Sequence, residues 1–412
     1  MSRGPAAVVL VLLLGALAVA LAVVVPWTPL PGAEIVPDAA RDFTAADQAR
    51  EEAFSARIRP PAYTALGLSL LVSLGLGLTP LGARLAGAIG GHWTLTVLAG
   101  TAVLTLLGRL VTLPLAARAE VVRRDAGLST RTWDLWAVDL AKAWAVSTVI
   151  TAVVLLVLVA LARAAPRTWW AWAAAATAGL VVVVSFAYPV VVEPVFNRFT
   201  PLEQGQLRED LLALAQRDGV PVEDVLVADA SRRTTALNAY VSGFGGTRRI
   251  VVYDTLLEQA PPAEVALVVA HELAHAKHRD VLIGTLLGAL GAAAAVVALG
   301  LLLTWTPLLR RAGIDGPGDP RAVALLLALT AAGTFLSAPL SNLVSRRIEA
   351  RADVSSLDLT RDVETFVEVH KRLARTNLSD LDPNPVAYAL FASHPSTTER
   401  LALAREWERL RG

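Results

Sequence analysis

His271-Glu272-Leu273-Ala274-His275 is the stretch whose residue types and spacing point most directly to chemistry. On a helix, His271 and His275 fall one turn apart on one face. Two imidazoles so placed can hold one zinc ion, and Glu272 beside them can take a proton from a water at that ion. The surrounding run, AEVALVVAHELAHAKHRD (Ala263 to Asp280), is dominated by Ala, Leu, Val and Glu without internal Gly or Pro, and Pro261-Pro262 stand in front of it where helices start. Directly after Asp280 the chain turns strongly apolar, so this helix is expected to meet a membrane. The competing reading is a charged surface helix carrying two histidines by chance. Against it stands a total of six histidines in 412 residues.

A catalytic zinc needs a third protein ligand and one position left for water. His278 is nearest, but it lies about 10 Å from His271 along a helix axis, which is far for two short side chains to converge. A solvated or interfacial histidine suits it better. Glu349, in SNLVSRRIEARAD, is the stronger candidate, with Asp353 one turn on along the same face. A glutamate ligand followed by a second carboxylate suits zinc, because the spare oxygen can orient a ligating histidine. The alternative is a helix end whose acids pair with Arg346, Arg347 and Arg351. His394, in FASHPSTTERLALA, precedes Pro395 and is expected in extended backbone before a helix that starts at Ser396. It could donate to a developing oxyanion or simply pack a loop.

Composition sets the class of protein that must position these groups. Hydrophobic residues make up 55% of the chain and charged residues 18%, the balance of a protein with many membrane spans. A net charge of +1 gives no sign of a nucleic-acid partner. The absence of cysteine excludes disulfides, thiolate zinc sites and cysteine nucleophiles.

Seven apolar runs read as spans: Ala6 to Val25, Tyr63 to Leu81, Trp93 to about Ala117, Ala143 to Leu161, Thr168 to Tyr188, Val281 to Trp305 and Ala322 to about Leu340. The first is expected to stay uncleaved, since its small-x-small sites fall inside the run. Ile35 to Pro61 reads as a helical surface connection, Glu120 to Lys142 as interfacial, and Pro189 and Pro194 as helix breakers. Arg109 lies within the third span, facing a watery cavity or snorkelling to an interface. Phe196 to Asp280 reads as soluble protein, with strands at Asp224 to Asp229 and Arg249 to Tyr253. A hairpin pairs the latter with Ala239 to Phe244 through Gly245-Gly246-Thr247. The domains expected are 1–195 with five spans, 196–280 with the metal helix, 281–340 with two spans, and 341–412 with the third ligand. An odd number of spans puts the metal helix and the C-terminal part on one side. The arginine bias of the connections makes that side cytoplasmic.

The blocks EPVFNRFTPL, ADASRRTTALNAYVSGFGGTRRIVVYDTLL, VVAHELAHAKHRD, SRRIEARAD and FASHPSTTERL, taken in order with the seven-span layout, resemble the CAAX prenyl protease 1-type (Ste24-like) membrane zinc metalloproteases. The likeness runs over nearly the whole chain and is specific from Pro194 onward. It implies a mainly α fold, a seven-span helical bundle with a cytoplasmic gluzincin-type α+β metalloprotease domain carrying a small β-hairpin or sheet. It also implies one Zn2+ per chain on His271, His275 and Glu349, with Glu272 as base, Asp353 in support and His394 at the scissile carbonyl. Asn238 and Ala239 would offer backbone to an extended substrate. Ala276, Lys277 and Ala350 depart from the bulkier or aromatic residues usual at those places.

The expectation is therefore a membrane endopeptidase of a bacterial plasma membrane, cleaving peptide bonds of membrane-associated or C-terminal CAAX-like substrates near the cytoplasmic face. Its partners are a peptide or protein substrate and the lipid bilayer. The alternatives are a quality-control metalloprotease of bacterial membranes, or a seven-span transporter or channel with a structural zinc.

Overall fold

A computed structural model describes residues 3–243 and 248–412. Among these residues, seven helices are long and apolar enough to cross a membrane. They are Arg3–Val24, Ala45–Gly77, Trp93–Asp125, Trp133–Ala164, Trp169–Val191, Asp280–Leu302 and Val323–Thr360. The chain is thus an integral, multi-pass membrane protein whose helices agree in number and order with the apolar runs. Their lengths differ from those runs in an instructive way. The second helix begins at Ala45 behind a Thr44–Asp47 capping box and passes through Pro60 and Pro61 without ending, so connection and span form one rod. The fifth continues through Pro189 to Val191, and Pro194 instead opens a short helix, Glu193–Phe196. Pro189 therefore does not break the helix. A proline inside an apolar span is tolerated because neighbouring groups satisfy the freed carbonyl.

The seventh helix is the structural spine. Its first half packs in the membrane core with Leu155, Val159, Trp169 and Val297 around Val323 and Leu325. Its second half leaves the core still helical and carries Glu349 and Asp353 into the soluble part. Gly77 and Gly82 permit this packing: a Cβ on either would fall 2.3 Å from Ala328 Cβ or Ala324 Cβ of the seventh helix. Small residues at such crossings let helices in lipid approach closely.

The soluble part is built on a four-stranded sheet in the order β1-β2-β4-β3, with β1 Phe199–Pro201, β2 Asp224–Ala228, β3 Ala239–Ser242 and β4 Arg249–Tyr253. β3 and β4 pair antiparallel as the hairpin reading expects, with Ala239 opposite Val252. The glycine turn expected to join them, and Phe244, fall outside the described residues. β2 pairs parallel to β4, and β1 adds an edge with no apolar pattern of its own. Against this sheet lies the histidine helix, Pro262–Lys277. Its inner face, Val265, Val269, Ala270 and Leu273, closes a core with Leu211, Val225, Ile250 and Val252. Its other side joins Leu357, Phe366 and Trp407 through Leu267, tying the sheet to the C-terminal helices.

Candidate active site

The site forms where two long rods meet. The histidine helix presents His271 and His275, and the seventh-span helix presents Glu349 from across the cavity. Nε2 of His271 lies 3.2 Å from Nε2 of His275 and 3.2 Å from Glu349 Oε2. His275 Nε2 lies 3.5 Å from Glu349 Oε1. One ligand atom from each of the three residues falls within 4.8 Å of the others.

The outer nitrogens explain why the inner ones point inward. His271 Nδ1 lies 2.9 Å from Asp353 Oδ1, a close ionic contact though not an aligned hydrogen bond. His275 Nδ1 lies 2.9 Å from Asp280 Oδ2. Two carboxylates thus favour protons on the outer nitrogens, leaving electron pairs on both Nε2 atoms aimed at one point beside a third carboxylate. Donor groups so close repel one another unless a cation or proton lies between them. Burial alone would lower the His271 pKa. Asp353 and Glu349 override it and raise it to about 10, so the pocket demands positive charge. Two nitrogens and one oxygen, each backed by a further carboxylate or cation, suit a zinc ion with a fourth position open.

Asp280 reaches His275 because the chain turns sharply between the two helices. Arg279, at φ 58, takes the left-handed conformation and ends the histidine helix before the sixth span begins. Without that residue the two would run on as one rod, and an acid five places after His275 would face away.

Glu272 borders a cavity of about 520 Å³ together with Asn238, Tyr388 and His394. Its carboxylate makes no hydrogen bond to another described residue. Burial raises its pKa, only partly offset by His271 and His275, which suits a general base. His394 stands at the mouth, 63% exposed, with Nδ1 at 2.9 Å from Glu349 Oε2. Asn238 precedes β3, the free edge of the sheet, and its carbonyl accepts from Tyr253 N. Ala239 opens the strand beside the cavity. His278 caps the histidine helix and contacts Ser355 Oγ at 3.0 Å, apart from the ligand cluster.

Arg400, like Asp280, is a residue of this cluster that sequence reasoning missed. Its guanidinium donates to Glu349 Oε2 at 2.9 Å, lies 3.4 Å from Asp353 Oδ2, and reaches His370 Nε2 at 3.0 Å. It comes from the first turns of the C-terminal helix, Thr397–Arg411, behind a Ser396–Glu399 capping box. A cation near a helix N-terminus opposes the helix dipole, and that was the available signal. The cost is met here by two buried carboxylates.

Residues 201–408 match the model for peptidase family M48, and residues 62–198 match the CAAX prenyl protease N-terminal model, described as five membrane helices. A protein of Bacillus subtilis strain 168 named uncharacterized metalloprotease YhfN is 35% identical over 309 residues, 74% of this chain and 72% of that one. A CAAX prenyl protease 1 homolog of Arabidopsis thaliana is 34% identical over 228 residues, 54% of this chain and 52% of its own, so the match spans about half of that relative. The crystal structure of S. mikatae Ste24p superposes with a TM-score of 0.78 at 20% identity, over 97% of this chain and 98% of that one. That likeness establishes the membrane-bundle fold.

Proposed function

The chain belongs to peptidase family M48, and from that premise we propose that it is a zinc-dependent membrane endopeptidase acting on membrane-associated or C-terminal CAAX-like substrates near the cytoplasmic face. The observation that carries this reading is the convergence of His271, His275 and Glu349 beside an unpartnered Glu272. Those three would hold zinc, which when bound polarises the scissile carbonyl and acidifies a water. Glu272 takes the proton of the attacking water and passes it to the leaving amine as the C–N bond breaks. His394 donates to the oxygen on which negative charge develops. Asp353 and Asp280 keep the two imidazoles in the right tautomer, and Arg400 holds Glu349 and Asp353 in place. A substrate in extended form adds to the β3 edge through the backbone of Asn238 and Ala239. The arginine bias of the loops favours a cytoplasmic site.

Glu272→Gln tests the assignment. The variant should keep one zinc per chain while peptide hydrolysis falls by a factor of about 10² to 10⁴, the range typical of a lost general base. Metal analysis beside a fluorogenic peptide assay reads both. Undiminished turnover in the zinc-loaded variant would remove Glu272 from its role. Hydrolysis that survives complete chelation would remove the metal.

A further inference from the structure

The sheet edge that would receive a substrate is not open along its whole length. Tyr253 N donates to the Asn238 carbonyl at 3.0 Å, and Ala239 stands opposite Val252. In an antiparallel ladder such inward pairs alternate with outward ones. Asn238, Tyr240 and Ser242 therefore turn their backbone groups toward β4, while Leu237, Ala239 and Val241 turn theirs toward the free edge.

Leu237 differs from the other two outward residues, because a side chain from another element already holds it. Asn377 Oδ1 accepts from the Leu237 amide at 3.1 Å, and Asn377 Nδ2 donates to the Leu237 carbonyl at 3.4 Å. One primary amide thus makes both bonds that a paired strand residue would make. Asn377 is the last residue of the helix Val363–Asn377 and, with Leu237 and Asn238, borders the catalytic cavity. The next residue, Leu378, is buried and left-handed at φ 49, a conformation that leucine rarely takes. Helices that end this way usually place glycine or asparagine in the turn. Here the asparagine stands one place earlier, where its amide meets Leu237, and the leucine carries the turn.

The Ala239 amide is also engaged, by Asn238 Oδ1 at 3.0 Å. That narrows the substrate edge proposed above. Among the described residues, the Ala239 carbonyl and both backbone groups of Val241 face outward without a partner. A strand added antiparallel to β3, the commoner pairing, runs its C-terminal half toward Leu237. Outward groups recur every second residue, so a substrate residue bonded at Ala239 finds its next rung taken by Asn377.

We propose that Asn377 is a positioning residue that ends the substrate ladder at Leu237, so that only about two or three residues beyond the scissile bond are held in register. Residues further on are not excluded; they leave the sheet edge unpaired. This deepens the endopeptidase reading above and rests on it. It suits C-terminal substrates, which present few residues beyond the cut.

Zinc-loaded full-length protein in detergent is given fluorogenic peptides, all C-terminal amides, with about two, about four or about eight residues beyond the cleaved bond. The added residues are alanines, which offer backbone and little else. In the wild type kcat/KM should stay level within about twofold from the shortest peptide to the longest. Asn377→Ala frees Leu237 for one more rung. In that variant the two longer peptides should exceed the shortest by about fivefold or more, the value of one net hydrogen bond. Asn377→Asp keeps an acceptor for the Leu237 amide and should stay level like the wild type. A wild-type kcat/KM that climbs by about fivefold from the shortest peptide to the next overturns the proposal with no need of a variant. So does Asn377→Ala losing activity by one factor at every length, the mark of a residue that only holds the fold together. If the zinc-loaded wild type cleaves none of the peptides, the endopeptidase reading fails and takes this one with it. Active cleavage whose length profile Asn377→Ala leaves unaltered sinks the ladder end alone.

Discussion

Two arginines face cavities in this molecule, and their surroundings are opposite. Arg400 is locked between Glu349, Asp353 and His370, with 13% of its side chain exposed. Arg109 faces a space lined by no acid, and its guanidinium bonds to no described residue. The first is part of a satisfied network whose carboxylates would be unpaired without it. The second bears a charge that the folded protein alone leaves unanswered. In a low-dielectric interior, removing one member of a buried pair is expensive, whereas removing an unpaired charge relieves a penalty. The contrast separates a charge that holds a site together from a charge that no acid lining its cavity answers.

The largest expected effect tests that contrast directly. Arg400→Met should destabilise the protein by about 3–5 kcal/mol, because Glu349 and Asp353 stay buried with their counter-charge gone. Arg109→Met should leave unfolding stability unchanged or raise it by about 1 kcal/mol. Thermal or denaturant unfolding of the detergent-solubilised proteins, both with the metal chelated, reads the difference. Equal losses at the two positions would end the distinction, since Arg109 would then be bonded within the fold.

The same contrast shows where the sequence could be read and where it could not. His271, Glu272 and His275 announce themselves because helical spacing alone puts them on one turn. The spans are legible because about twenty apolar residues leave little choice in a bilayer. Glu349 was reachable because Asp353 follows it at helical spacing. Arg400 and Asp280 were not, for two physical reasons. Arg400 meets the ligands only after the C-terminal helix folds back against the seventh span. Asp280 meets His275 only because Arg279 adopts a left-handed turn that a glycine would have signalled and an arginine does not. β1 and the parallel pairing of β2 with β4 likewise depend on contacts that no local periodicity encodes.

A smaller effect sharpens the picture of the Arg400 network. Burial, and then the charge of Arg400, lower the His370 pKa to about 4 from an ordinary value of 6.5. Between those two pH values the unfolded chain binds a proton that the folded chain refuses. Stability therefore rises with pH across the window and falls as the solution is acidified through it, by up to about 3 kcal/mol. His370→Gln should flatten that part of the stability profile. Replacing Arg400 by Met should narrow the window by letting the His370 pKa recover. A profile that stays equally steep between pH 6.5 and pH 4 in His370→Gln would place the titrating group elsewhere.

The smallest effect concerns the carboxylate behind the first histidine. Asp353 is fully buried and touches both His271 Nδ1 and Arg400, so it reaches the metal site through the imidazole it orients and through the guanidinium that also holds Glu349. Asp353→Asn keeps the shape and an accepting oxygen but removes the charge that makes His271 a stronger donor. Zinc affinity should fall by about 10- to 100-fold, measured by competition with a chelator of known strength. Glu272→Gln, one residue from His271 but outside the ligand set, should leave that affinity within about threefold, since a neutral amide there removes no ligand and no orienting contact. If the two variants lose zinc equally, Asp353 acts through the general charge of the pocket. If only Asp353→Asn loses it, the buried carboxylate works by fixing the ring, and the network around Arg400 extends to the metal itself.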